Sequence, residues 1–275
     1  FLQTAFAASQ ILGLPAGLFL SNHWGWHMPF LMIVALSLIA GIFIWFYLKP
    51  IDAHLKMRPD KSPFHHLYTT IATPRYLFAF VSMSLLSLGG FMIMPFASAF
   101  TVNNMGIAVD NLPIIYLITG LCSIVIGPLV GKYSDKIGHY RMFTFGTVVS
   151  IIMVLVYTNL GVTSLPIVIL VNALMFIGIF SRMIPAQTLM SGIPDPTSRG
   201  SFMSVSTSLQ QVAGGFASVL AGWVVIIGFD GKLQKFYILG YLMTATALIS
   251  LLMMFFINRE VSRRPRNQAA IVPTP

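Results

Sequence analysis

The chain has 275 residues, of which 56% are hydrophobic and only 8% charged, and its formal net charge is +9. A soluble domain carries about 25% charged residues, so these charges are too few to cover a water-facing surface, and lipid is the solvent that fits. The positive balance sits in short connections between apolar runs. That pattern reads as membrane topology and argues against a nucleic-acid partner.

Spanning helices need about 20 mostly apolar residues, and eight runs meet the need. They are Phe1–Leu20, Met28–Leu48, Arg75–Phe100, Leu112–Val130, Met142–Leu160, Leu165–Ala186, Phe202–Ile227 and Phe236–Ile257. The runs are too long for strands and lack the alternation of a barrel wall. Without water to satisfy the backbone, helices remain, and the fold class is an all-α membrane protein. The single cysteine, Cys122, excludes an internal disulfide framework.

In chain order, Trp24 and Trp26 follow the first run, at the level where amphipathic rings gather. A polar, basic connection broken by Pro50, Pro59, Pro63 and Pro74 separates the second and third runs and marks a boundary between two bundles. Its His54, His65 and His66 lack a further ligand at metal-binding spacing, so neither a metal nor a cofactor is expected. The tail after the eighth run reads as a basic juxtamembrane segment followed by disorder.

Fourteen of the sixteen Lys and Arg residues fall on one side of this arrangement; only Lys232 and Lys235 fall on the other. The positive-inside rule makes the first side cytoplasmic, with both ends of the chain there. Among the fourteen, Arg182 lies inside the sixth run near its end, and snorkelling to the interface is the expected behaviour. The runs hold no Asp, Glu or His away from their ends. A proton-carrying group, needed for proton coupling, is therefore expected in helices beyond this chain. The polar residues nearest mid-span are Gln10, Asn172, Gln210 and Gln211, and Asn172 shares a helix face with Phe176.

The opening stretch aligns without gaps to the seventh run: Phe1 meets Phe202, Gln10 meets Gln211 and Gly13 meets Gly214. Four runs precede Phe202. A twofold repeat therefore predicts four further helices before Phe1, as in the duplicated bundles of secondary transporters.

Between the fourth and fifth runs lies GPLVGKYSDKIGHYR, with Gly131, Asp135, Lys136, Gly138 and Arg141. It resembles the cytoplasmic loop signature of the major facilitator superfamily, departing from it at His139 and Tyr140. Gly131 and Gly138 suit a tight turn and close backbone approach, and Asp135 can face a helix N-terminus. The resemblance implies a cytoplasmic latch between two bundles. Gly13, Pro15, Gly17, Gly25, Trp26 and Phe30 resemble the fifth-helix pattern of the drug and metabolite efflux branch.

The resemblance further implies eight of twelve helices, with 1–49 ending an N-terminal bundle, 50–74 an interdomain loop, 75–258 the C-terminal bundle and 259–275 the tail. It implies a substrate cavity lined by Phe91 and Met94, Asn172 and Phe176, with Gln10, Tyr116 and Gln211 adding hydrogen-bonding groups. An apolar cavity with a few amides suits an uncharged or lipophilic small molecule. The remaining partners are membrane lipids and the absent helices. The function implied is secondary active transport in the inner membrane, as proton-coupled efflux, with an uptake symporter as the alternative. A membrane enzyme would need a nucleophile, acid or metal cluster, and a channel would need a charged ring or filter; the sequence offers neither.

Overall fold

A computed structural model describes residues 13–47, 70–194 and 198–262. Gln10, the three loop histidines and the end of the tail lie outside the described residues. Among the described residues eight α-helices follow one another: α1 (Leu14–Trp24), α2 (Met28–Tyr47), α3 (Pro74–Asn103), α4 (Leu112–Ile137), α5 (His139–Thr158), α6 (Leu165–Ser191), α7 (Arg199–Val224) and α8 (Phe236–Ser262). A 3₁₀ turn, Val109–Asn111, leads into α4, and a short hairpin, β1 (Ile226–Ile227) and β2 (Leu233–Gln234), joins α7 to α8.

The starts follow local rules. Pro sits in the first turn of α1, α3, α4 and α6, where its missing N–H costs nothing. Gly25 turns the chain between α1 and α2 with φ of 92°, a conformation that favours a residue without Cβ. Six helices (α2 to α6 and α8, α4 with its leading 3₁₀ turn) are long and apolar enough to cross a membrane. Helix α7 matches them in length, but Ser204, Ser206, Thr207, Ser208, Gln210 and Gln211 dilute its first half. The described part of α1 is 11 residues long.

Helices α3 to α8 form one bundle, packed in the spatial order α7, α3, α8, α5, α6, α4, with α1 resting on α4 and α2 on α1. Two apolar clusters stack along it. One, near the hairpin end, gathers Met92, Phe100, Leu112, Tyr157, Val171 and Phe236; Leu18 of α1 packs against it. The other, near the basic end, gathers Phe80, Phe143, Leu189, Phe202 and Met254. Close packing between them depends on small residues. A methyl at Gly146 would lie 2.5 Å from the Ser181 carbonyl carbon, and one at Gly178 would lie 2.8 Å from the Ser150 nitrogen. Helices in lipid associate through this kind of backbone approach.

Both ends of the bundle are tied. At the basic end Arg75 pairs with Glu260, and Tyr76 reaches the Ser198 hydroxyl at 3.2 Å. At the other end Asn103 donates to the Gly231 carbonyl at 2.9 Å. Asn104 both donates to the Leu233 carbonyl (3.0 Å) and accepts from the Leu233 N–H (2.9 Å), so its amide pairs with the hairpin as a backbone would. Helix α2 buries none of its residues against the rest of the described chain.

Several boundaries differ from the sequence expectation: α6 runs on past Ala186 to Ser191, and α7 starts at Arg199 and stops at Val224. Helix α4 does not stop at Val130. It runs to Ile137, because nothing from Gly131 to Ile137 breaks it and the first positive φ comes at Gly138, at 98°. Helix α8 continues through Ser262 and takes Arg259 and Glu260 out of the expected tail.

Candidate functional site

Half-buried polar groups of α4 and α7 meet one stripe of α3. Ser87, Phe91, Met94 and Ser98 recur at helical spacing and share a face. Pro95, inside this helix, has no N–H, so the Phe91 carbonyl loses its helical donor. Helix α7 supplies a replacement: the Ser218 hydroxyl lies 3.3 Å from the Phe91 oxygen and 3.0 Å from that of Gly214, sharing its proton between them. The Phe91 ring lies against Gly214, where a Cβ would come within 2.8 Å of it.

Above and below this point the stripe bonds to both neighbours. The Ser87 hydroxyl donates to Gln210 Oε1 at 3.3 Å, and Gln210 Nε2 stands 3.2 Å from both the carbonyl and the hydroxyl of Ser206. Ser98 Oγ meets the Tyr116 hydroxyl of α4 at 2.7 Å. Met94 projects freely, 61% exposed. The result is a polar seam across α7, α3 and α4 with a phenyl ring and a thioether at its middle. It can hydrogen-bond a small molecule's polar groups and cover its apolar ones.

The expected site residues divide accordingly. Phe91, Tyr116 and Phe176 all pack at the edge of the cluster near the hairpin end. Phe91, Met94 and Tyr116 belong to the seam. Asn172 is buried, but its amide donates back to Val168 of its own helix at 2.9 Å. Gln211 is exposed on α7; the glutamine that joins α3 is Gln210. A regular signal in the sequence marks it: Ser206, Gln210, Gly214 and Ser218 recur every fourth residue and so share the face turned to α3.

The signature between α4 and α5 is mostly helical. Gly131, Asp135 and Lys136 ride the last turns of α4, Gly138 makes the corner, and Arg141 lies in the first turn of α5. His139, one of the two departures, bonds Ser134 across the corner at 2.8 Å. Asp135, Lys136 and Arg141 are exposed, and among the described residues a methyl at Gly131 would meet nothing within 4 Å.

Arg182 does not snorkel. It is 4% exposed, its Nε has no hydrogen-bond partner, and its guanidinium carbon lies 5.9 Å from the Phe143 ring centroid. It sits nine residues from the Ser191 end of α6, roughly 14 Å at the rise of an α-helix.

Apolar helices with an inward polar seam, carrying charge at their ends, define an integral membrane protein. The sequence profile of the Major Facilitator Superfamily matches residues 1–218 and again 79–273. The chain belongs to that superfamily of membrane transporters. It is 26% identical over 223 residues to an uncharacterized MFS-type transporter, YceJ, of Bacillus subtilis, covering 79% of this chain and 55% of that one. It is 23% identical over 208 residues to the lincomycin resistance protein LmrB of Listeria innocua, covering 75% and 42%. The chain thus spans about half the length of the curated relatives it matches. Its fold is similar to the crystal structure of a bacterial homolog of the human lysosomal transporter Spinster, inward-facing and unoccupied. The TM-score is 0.56 at 15% identity, over 93% of this chain and 68% of that one.

Proposed function

We propose that this chain forms part of a secondary active transporter that exports a small, largely apolar molecule by alternating access, driven by protons. The observation that carries the reading is the seam. Amides and hydroxyls of α3, α4 and α7 stand, half-buried, beside Phe91 and the exposed Met94 within a lipid-soluble bundle, where polar groups are retained for a purpose. A relative's name, lincomycin resistance protein, favours outward transport of an organic compound. Residues 1–49 close an N-terminal bundle, 75–258 form the C-terminal one, and helices beyond this chain complete the cavity and carry the proton. Phe91, Met94, Tyr116, Phe176, Asn172, Gln10 and Gln211 are proposed to face that cavity in one state or another. The basic end faces the cytoplasm of a bacterial inner membrane, where Asp135, Lys136 and Arg141 latch the two bundles.

The test is accumulation of ethidium in cells expressing the full gene product. The expected result is lower accumulation than in vector controls, reversed by a protonophore. Equal accumulation with and without the gene, for ethidium and a panel of uncharged dyes, removes the export reading.

A further inference from the structure

We infer that Gly214 and Ser218 of α7 are positioning residues for Phe91 and that through its ring they set the size of substrate the seam admits. The inference rests on the transport reading above and adds to its site two residues that touch no substrate.

Three observations meet at one point. The place a Cβ would take at Gly214 lies 2.8 Å from Phe91 Cδ2, 2.9 Å from Cγ and 3.1 Å from Cε2, along one side of the ring from its base outward. Those contacts fix the ring's lateral position, because retreat from α7 moves the whole phenyl group. Pro95 leaves the Phe91 carbonyl in need of a donor, and Ser218 is the one α7 provides, 3.3 Å away. Backbone and ring of one residue are thus held by two α7 residues four apart, one turn of helix. The buried Met92 and Ile93 follow Phe91 in sequence and close the core behind it, whereas the next residue on the stripe, Met94, is open. A ring pushed off α7 is therefore displaced toward the open side of the stripe, where Met94 is exposed, and takes up room beside it.

The experiment compares efflux of ethidium with that of the larger rhodamine 6G from cells expressing the full gene product. The variants are Gly214→Ala, Ser218→Ala, Phe91→Leu and the double variant Gly214→Ala/Phe91→Leu. Gly214→Ala is expected to lower rhodamine 6G efflux at least threefold relative to ethidium, through a higher KM. The Phe91→Leu background should abolish that change, since no ring remains to be displaced. Ser218→Ala should shift the ratio in the same direction by a smaller factor. Melting of the purified variants in detergent identifies any that fail to fold. A ratio unchanged by Gly214→Ala in a folded protein, or a change that persists without the Phe91 ring, overturns the inference while the transport reading stands. Absence of efflux by the unaltered protein of both dyes and of the uncharged panel removes the transport reading first, and this inference with it.

Discussion

The Ser218 hydroxyl of α7 answers the carbonyl of Phe91 in α3, 3.3 Å away, and that carbonyl is the one Pro95 deprives of its helical donor. The two sites should therefore be coupled energetically. Ser218→Ala alone should cost about 1 kcal/mol, the usual net value of a hydrogen bond. In a Pro95→Ala background, where the helix can supply its own donor, the cost of Ser218→Ala should shrink. Detergent melting of the four proteins in the cycle measures the coupling, and strictly additive costs would show that the hydroxyl is not serving this carbonyl.

Glycines of the bundle are predicted to differ sharply in tolerance. Gly146→Ala and Gly178→Ala place a methyl within 2.8 Å of the facing helix backbone. Backbone cannot step aside as a side-chain tip can, so each should cost about 1–3 kcal/mol or more. Gly131→Ala has open space around it among the described residues and lies inside α4. It should be neutral, or stabilise by about 0.5–1 kcal/mol through helix propensity. Melting temperatures of the three variants give the comparison directly.

Gly138 is a third kind of glycine. Its methyl would also meet nothing within 4 Å, yet its φ is 98°. Gly138→Ala should cost about 1–3 kcal/mol through backbone strain alone, because φ of 98° with ψ of 138° is a region that essentially only glycine enters. Gly138→Asn should gain little over it, and Gly138→Val, β-branched and stiffer, should cost most. Equal melting of all three variants would show that the corner does not need this conformation.

Arg182 yields a prediction of opposite sign. A buried guanidinium keeps its charge. The salt bridge among the described residues, Arg75 with Glu260, leaves Arg182 out. A stacked ring recovers only about 1–2 kcal/mol of the desolvation cost. Arg182→Met, which keeps the length and drops the charge, should leave stability unchanged or raise it, as replacement of buried ionic groups often does. A drop of several kcal/mol in detergent unfolding would show that the charge has a strong partner in the intact protein.

Much of this architecture was legible in the residues. Long apolar runs specify helices, since lipid leaves the backbone no other donor or acceptor, and all six helices that pass as spans correspond to predicted runs. The ends were less legible. Val130 read as a terminus because Lys132 and Asp135 follow it, but charge does not end a helix, and α4 continues until Gly138 adopts positive φ. The hairpin of Ile226–Ile227 with Leu233–Gln234 was hidden in the flank of an apolar run, marked only by Asp230-Gly231. At the site, the family resemblance pointed to Phe91, Met94, Tyr116 and Gln211; the first three lie on or against the polar stripe of α3, while the bond from α7 to Ser87 is made by Gln210. Composition cannot tell adjacent residues apart. The four-residue register through Ser206, Gln210, Gly214 and Ser218 can, because it fixes which glutamine faces α3. The burial of Arg182 depends on how α5 and α6 approach through Gly146 and Gly178, a tertiary fact that hydropathy does not encode.

The bidentate grip of Asn104 on Leu233 makes the α7–α8 hairpin an outside handle on α3. Whatever displaces the end of that helix must drag Gly231 and Leu233 with it or break the grip. A fluorophore on the exposed Lys232 would therefore report on movement of α3 from the aqueous side, without any label being placed inside the membrane.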